Sequence, residues 1–141
     1  MVSESIRNEY LPDYVSVPGE TLSEALEERA MTQADLAQRI GRSRKTINEI
    51  IRGKAPITPE TALLLERALG IPARFWSNRE SQYREALERI RQRHRLKGYL
   101  PWLKTMPYRQ MIRQGWLNED DDDIDQVQNL LSFFGVATPA Q

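Results

Sequence analysis

Residues 31–54, MTQADLAQRIGRSRKTINEIIRGK, contain two short helical patterns that are joined at Gly41. Their apolar residues recur at spacings of three and four, which places them on one buried face of each helix. These residues are Leu36, Ala37, Ile40, Ile47, Ile50 and Ile51. Gly41 suits the end of the first helix because glycine adopts a positive φ without steric cost. The pattern therefore predicts a helix-turn-helix.

Hydroxyl residues stand immediately before both of these helical patterns. Thr32 and Ser43 are good N-caps, because each side-chain oxygen can accept a hydrogen bond from a backbone N–H that has no partner inside the helix. In a helix-turn-helix the second helix enters the major groove of DNA with its N-terminal residues toward the base edges. Ser43, Arg44 and Lys45 are therefore expected to face DNA.

The charge distribution supports the same interpretation. The whole chain is neutral, with 20 basic and 20 acidic residues, but residues 29–54 hold seven basic residues against two acidic ones. A basic face attracts phosphates and releases counterions, so binding should weaken steeply as salt rises. Residues 99–141 instead carry three basic residues against six acidic ones. The two ends of the chain are expected to have different roles.

Length and composition exclude several classes of protein. A chain of 141 residues suits one domain, or a small domain with an appended subdomain. The absence of cysteine and the single histidine, His94, exclude disulfides, thiolate chemistry, histidine triads and multi-histidine zinc sites within this sequence. No segment has the pattern of a membrane span or a signal peptide. We expect a cytoplasmic protein that is not an enzyme and needs no cofactor or metal.

Five helices are expected in the first two thirds of the chain, after an arm at residues 1–19. The first, at about 20–30, opens on a capping box of Thr21 and Glu24, and its inner stripe is Leu22, Ala25, Leu26 and Ala30. The helix-turn-helix supplies the second and third. Thr58 and Pro59 open the fourth, which carries Ala62, Leu63, Leu65 and Leu69 inward and stops at Gly70. The fifth runs from about 73 to 97, so residues 20–97 are expected to form an all-α bundle.

The second half of the fifth helix is rich in arginine and glutamate. It is either a solvated helix with pairs such as Glu85 and Arg89, or a second basic surface for nucleic acid or an acidic partner. Residues of both signs along one helix are compatible with either interpretation.

Residues 98–141 are expected to form a small helical extension that serves in dimerisation or as a connector. A short helix is predicted at about 107–114, and a last helix at 123–134 that ends at Gly135. A helix of this length is marginal alone, so its apolar face should pack on the short helix, on a dimer mate or on a domain following Gln141. The acidic run at 120–125 lacks the central glycine and closing glutamate of a calcium-binding EF-hand loop.

Residues 31–54 resemble the lambdoid phage repressors and the wider Xre family of helix-turn-helix regulators. Over residues 18–83 the sequence is similar to the HigA-type antitoxins. The motifs that carry this similarity are Pro18-Gly19-Glu20, Ile47-Asn48-Glu49-Ile50, Ile57-Thr58-Pro59-Glu60-Thr61-Ala62 and Pro72-Ala73-Arg74-Phe75-Trp76. The resemblance implies a five-helix, lambda-repressor-like bundle. It also implies a dimeric DNA-binding repressor of its own operon that neutralises a ribonuclease toxin of the HigB kind.

The C-terminal extension departs from the HigA pattern. Residues 111–116, Met-Ile-Arg-Gln-Gly-Trp, and residues 130–136 are similar to a connector that joins such a DNA-binding domain to an ImmA/IrrE-type zinc peptidase domain. That peptidase needs a His-Glu-x-x-His helix, which this sequence lacks. Two alternatives to the antitoxin therefore stay open: the N-terminal part of a longer peptidase regulator, and a phage-type regulator without a toxin.

Position in the repressor motif predicts the DNA-contacting residues. The residues expected to contact bases are Ser43, Arg44, Lys45, Asn48 and Glu49. The residues expected to contact phosphates are Gln33, Arg42, Thr46, Arg52 and Lys54. Arg44 or Lys45 can donate to guanine O6 and N7, and Asn48 can contact a base edge or a phosphate.

A dimer on a palindromic operator is expected, because two recognition helices about 34 Å apart bind two half-sites. The candidate residues for the dimer or partner interface are Phe75, Trp76, Trp116, Leu130, Phe133 and Phe134.

Overall fold

The computed structural model describes residues 15–120 and 122–140, and all regular secondary structure within them is helical. The predicted all-α class is therefore confirmed. The α-helices are α1 (Pro18–Glu28), α2 (Gln33–Ile40), α3 (Arg44–Ile51), α4 (Pro59–Leu69), α5 (Ala73–Leu96), α6 (Leu100–Leu103), α7 (Tyr108–Arg113) and α8 (Asp123–Phe134). A 3-10 turn, Lys97–Tyr99, separates α5 from α6. Most of the predicted arm, residues 1–14, lies outside the described residues.

The chain divides into two compact units, Met1–Glu88 and Arg89–Gln141. In the first unit, α1 to α4 and the start of α5 enclose a single apolar core. Leu22, Leu36, Ile47, Leu65 and Trp76 have no exposed surface there. The predicted five-helix bundle is confirmed, and its α2 and α3 are joined by Gly41 at a φ of 68°. The division between the units falls inside α5, between Glu88 and Arg89, whereas the predicted DNA-binding domain extended to residue 97.

The start of α1 differs from the prediction. The helix begins at Pro18, because proline supplies a helical φ at a position that needs no N–H donor. Its N-cap residue is Val17, which has no capping side chain, so the predicted capping box of Thr21 and Glu24 does not form. The hydroxyl of Thr21 instead accepts a hydrogen bond from Arg79 Nε at 3.2 Å.

Two residues predicted to face the core lie at the surface. Ala30 is exposed with a φ of 50°, because α1 ends before it at Glu28. Leu63 is 54% exposed, since the buried stripe of α4 passes through Ala62 and Leu65 instead. Ala30 was predicted to be buried because the helical pattern was continued past the end of α1. Leu63 was predicted to be buried because it lies next to the inward-facing Ala62.

The second unit has an apolar core of its own, formed by α6, α7 and α8. Its buried side chains are Leu103, Tyr108, Met111, Val127, Leu130 and Leu131. The sequence predicted α7 and α8 but not α6. Pro101 lies in the first turn of α6, where proline is tolerated.

A charged clamp holds the start of α8. Arg93 donates to Asp125 at 2.6 Å and to Asp122 at 3.2 Å. The hydrogen bond to Asp125 raises the pKa of Arg93, although partial burial opposes that change. Asp122 is also the N-cap of α8, so one carboxylate serves both the helix and the ion pair.

No helix among the described residues combines the length and the apolarity that a bilayer crossing requires.

Candidate nucleic-acid interface

The core of the first unit determines which face of α3 is exposed. Ile47 and Ile50 are buried against the other helices, with 0% and 3% of their surfaces accessible. The helix period then directs Arg44 and Lys45 outward, and both are exposed. The leading end of α3 is therefore a cationic surface supported by an apolar seam.

The N-terminus of α3 is capped as predicted. Ser43 Oγ accepts from the backbone N–H of Thr46 at 3.1 Å and lies 2.9 Å from Thr46 Oγ1. This cap fixes the direction in which α3 begins and leaves the Ser43 side chain exposed. Ser43 and Thr46, predicted as base and phosphate contacts respectively, thus lie side by side at the helix end.

Arg44 and Lys45, which follow Ser43, have few interactions with other described side chains. Arg44 forms no hydrogen bond or ion pair with any residue that the structure describes. Lys45 is 86% exposed, and its Nζ lies 3.9 Å from a carboxylate oxygen of Glu49 on the next turn. An exposed pair of this kind is worth only about 0.3 to 0.5 kcal/mol, so Lys45 is free to change partners.

Gln33 and Asn48 connect the two helices of the motif. Asn48 Nδ2 donates to Gln33 Oε1 at 3.3 Å, which joins the first residue of α2 to the exposed face of α3. Both side chains are half-buried. Their remaining polar groups, Gln33 Nε2 and Asn48 Oδ1, have no hydrogen-bond partner among the described residues. The pair therefore presents one donor and one acceptor beside the cations of α3.

The N-terminus of α2 is fixed by a capping box. Thr32 Oγ1 accepts from Asp35 N–H at 3.0 Å, and the Asp35 carboxylate accepts from Thr32 N–H at 3.0 Å. The backbone hydrogen bond from Thr32 is the main reason that the pKa of Asp35 lies below its ordinary value. This box orients the helix end that carries Gln33.

The remaining predicted phosphate contacts surround α3. Arg52 and Lys54 are exposed just after the helix. Arg42, in the turn, donates to Glu60 Oε1 at 2.7 Å, and its side chain is 33% exposed. Glu60 was not predicted to take part in this site, because no local pattern links two positions 18 residues apart.

Comparisons with known proteins agree with this geometry. A family model described as helix-turn-helix matches residues 22–76. The antitoxin HigA of Pseudomonas aeruginosa, solved with the higBA promoter, is 35% identical over 52% of this chain and 82% of its own, with a TM-score of 0.51. The chain belongs to the HigA-type helix-turn-helix family.

Comparisons with two further solved structures have similar values. PA4674 of P. aeruginosa, in complex with an 18 bp operator DNA, is 35% identical over 52% of this chain and 80% of its own, with a TM-score of 0.50. A putative antidote protein of a plasmid maintenance system from Nostoc punctiforme is 30% identical over 57% of this chain and 90% of its own, with a TM-score of 0.51. No curated protein matches the chain.

The candidate interface residues of the HigA-type unit have different surroundings. Trp76 is fully buried in the core, whereas its neighbour Phe75 is 42% exposed and packs edge-on against it at 5.1 Å. Of these two residues, Phe75 alone offers a surface to a partner.

The candidate interface residues of the second unit divide in the same way. Leu130 is fully buried, while Trp116, Phe133 and Phe134 are 59%, 45% and 48% exposed. The rings of Trp116 and Phe133 are stacked at 6.2 Å. The three exposed aromatic residues therefore form one surface, which we call the aromatic patch.

The described residues of the acidic run at 120–125 do not form a metal site. Within residues 15–120 and 122–140, no group of three or more histidine, aspartate or glutamate side chains is arranged to hold a metal ion.

Proposed function

We propose that this protein is a sequence-specific DNA-binding repressor and the antitoxin of a HigA-like type II toxin–antitoxin system. The observation that carries the proposal is the exposed, unpaired Arg44 beside Lys45 at the leading end of a well-capped α3. Two HigA-type relatives have been solved with promoter or operator DNA, which supports the same role here.

Five polar side chains of the site are proposed to contact DNA directly. Arg44 and Lys45 donate to guanine O6 and N7 in the major groove, and Asn48 offers Oδ1 to a base amino group. Glu49 accepts from a cytosine amino group once Lys45 has turned toward DNA. Gln33 Nε2 donates to a phosphate at the N-terminus of α2, where backbone N–H groups also favour an anion.

The phosphate contacts of Arg42, Thr46, Arg52 and Lys54 set the register of the protein on the duplex but do not discriminate between bases. Arg42 must exchange Glu60 for a phosphate to take part. Binding should therefore fall steeply with salt, in proportion to the number of phosphates neutralised.

The proposed function requires two protein partners, a second copy of the chain and a toxin. Two copies would bind the half-sites of a palindromic operator in the promoter of their own operon, and a HigB-like ribonuclease would be neutralised in the same complex. The alternatives are the N-terminal DNA-binding part of a longer ImmA/IrrE-type metallopeptidase regulator, to which the resemblance of the extension points, and a phage-type regulator without a toxin.

A binding titration tests the DNA function. Arg44→Ala should weaken binding to a promoter fragment of the operon by about 1 to 3 kcal/mol and relax specificity at one base pair. Lys54→Ala should weaken binding to all sequences alike and lower the slope of log affinity against log salt by about 1. Fluorescence anisotropy at several salt concentrations measures both effects.

The matched control is Arg67→Ala, which removes an exposed arginine of α4 that is not expected to contact DNA. Unchanged affinity in Arg44→Ala, or an equal loss in Arg67→Ala, would contradict the assignment of α3 as the recognition helix. Co-purification with the product of the neighbouring gene distinguishes the antitoxin from a regulator without a toxin.

A further inference from the structure

A groove of about 1070 Å³ lies within the second compact unit. Its apolar lining includes Leu100, Leu103, Met106 and Ile112. Its charged lining comes from two segments of opposite sign. The segment 104–113, at the end of α6 and in α7, supplies Lys104, Arg109 and Arg113, whereas the segment 119–123 supplies Glu119, Asp120 and Asp123. The groove therefore has a cationic side and an acidic side.

These charges have no ion-pair partner among the residues that the structure describes. None of the six side chains forms an ion pair with a residue that the structure describes, and Lys104, Arg109 and Arg113 are the three basic residues in 99–141. The neighbouring carboxylates Asp122 and Asp125 are both held by Arg93, at 3.2 and 2.6 Å. Three cations and three carboxylates thus line one groove, and none of them forms an ion pair among the described residues.

The groove continues into the aromatic patch. A smaller depression of about 340 Å³ is lined by Trp116 and also by Pro107, Gln110 and Arg113, which line the groove itself. Trp116 then stacks on Phe133, which lies 5.1 Å from Phe134. Exposed aromatic residues beside arginine are characteristic of the centres of protein interfaces. The charged groove and the aromatic patch therefore form one continuous surface.

We propose that this surface is a two-fold interface that takes the same surface of a second copy of this chain. In such an interface a residue of one copy contacts a different residue of the other, and the reverse contact occurs as well. The cationic side of each groove would then meet the acidic side of its mate, in two equivalent sets. The described lining has three basic and three acidic side chains from two different segments, so the two segments can pair with each other across a two-fold axis. The inference rests on the dimer of the proposed function and assigns it a surface.

Two charge-reversal variants test the pairing. In the first, Arg109→Glu is combined with Arg113→Glu, which reverses two of the three cations named above. In the second, Glu119→Lys is combined with Asp123→Lys, which reverses two of the three carboxylates. Asp120 is left unchanged, because its Oδ1 accepts from the backbone N–H of Asp122 at 3.2 Å.

Light scattering on the full chain at low salt measures the result. Wild type should be a dimer, and each variant should dimerise at least about tenfold more weakly, because like charges then face each other. An equimolar mixture of the two variants should restore a dimer that contains one copy of each, which native mass spectrometry identifies by mass. Restoration also shows that both variants fold.

The matched control is Lys97→Glu, which reverses an exposed cation of the same unit that does not line the groove, and it should leave the dimer unchanged. A monomeric wild type would overturn the proposal. So would variants that stay fully dimeric, or a mixture that does not recover.

A half-site duplex separates this proposal from the proposed function. Both charge-reversal variants leave α3 untouched, so they should bind a single half-site as wild type does. Intact half-site binding with no mixed dimer refutes the interface alone. Loss of half-site binding in wild type refutes the DNA function, whatever the oligomeric state.

Discussion

Gly19 shows how a single residue positions the recognition helix. It is buried in α1, and a Cβ at this position would overlap the backbone of Ile50 and Ile51 at the end of α3. From the sequence, Gly19 was assigned to the end of the N-terminal arm. The structure places it in α1 instead, where glycine allows two helix backbones to approach closely.

Gly19→Ala should therefore destabilise the protein by about 1 to 3 kcal/mol, as overpacking of a rigid contact does. Because the overlap is with α3 itself, affinity for operator DNA should fall as well. Chemical denaturation and a binding titration measure the two effects.

Gly98→Ala is the matched control, because a Cβ there meets nothing within 4 Å. We expect it to leave stability unchanged or to raise it by about 0.4 to 1 kcal/mol. Equal effects of the two substitutions would contradict the close-approach argument.

At the scale of the element, α2, α3 and α4 begin in the same way. Thr32, Ser43 and Thr58 each accept a hydrogen bond from the backbone N–H three residues later, at 3.0, 3.1 and 3.2 Å. These starts were predictable because each cap involves residues close together in the chain. The start of α1 was not, since Pro18 begins it without a capping side chain.

Asp35→Asn should lower the unfolding temperature at neutral pH, because a neutral amide oxygen accepts from Thr32 N–H more weakly than the carboxylate does and the negative charge at the N-terminus of α2 is lost. The pKa of Asp35 is lower in the folded state, chiefly through that hydrogen bond. The stabilisation is therefore complete above the unfolded pKa of about 3.9 and is lost as the pH falls through the folded pKa. Thermal unfolding can be followed by circular dichroism. The difference in unfolding temperature between wild type and Asp35→Asn should become smaller only at acid pH.

Glu24→Gln serves as the control for this pH dependence, because the predicted capping box of Glu24 does not form. Its unfolding temperature should follow that of wild type at every pH. A gap for Asp35→Asn that stays constant down to pH 2 would count against the capping carboxylate.

At the scale of the whole molecule, the described residues form two apolar cores. One surrounds Trp76 and the other surrounds Leu130, and both residues are fully buried. Each core lies within one of the two compact units. Loss of packing in one core should therefore destabilise mainly the unit that contains it.

Trp76→Ala should destabilise the first unit by about 3 to 5 kcal/mol, and Leu130→Ala the second by about 2 to 5 kcal/mol. Hydrogen exchange should rise mainly in residues 18–69 for the former and in residues 100–134 for the latter. Trp76→Phe should cost less than Trp76→Ala, because the indole Nε1 has no hydrogen-bond partner among the described residues and only packing is lost. A uniform rise in exchange across both units would contradict this division.

The sequence by itself determined the helices of the bundle, the caps of α2, α3 and α4, and the exposed end of α3. These features depend on helical periodicity and on hydrogen bonds between residues three or four positions apart, both of which are visible in a single stretch of chain. The motif residues, taken together, also indicated the HigA-type family, which the comparisons confirmed.

Only the tertiary structure decided which polar groups are engaged and which are free. Glu60 holds Arg42, Gln33 accepts from Asn48, and Arg79 donates to Thr21, across 18, 15 and 58 residues of chain. The unpaired charges of the groove likewise come from two segments that meet only after folding. No local pattern specifies these contacts, because packing of the cores brings the groups together.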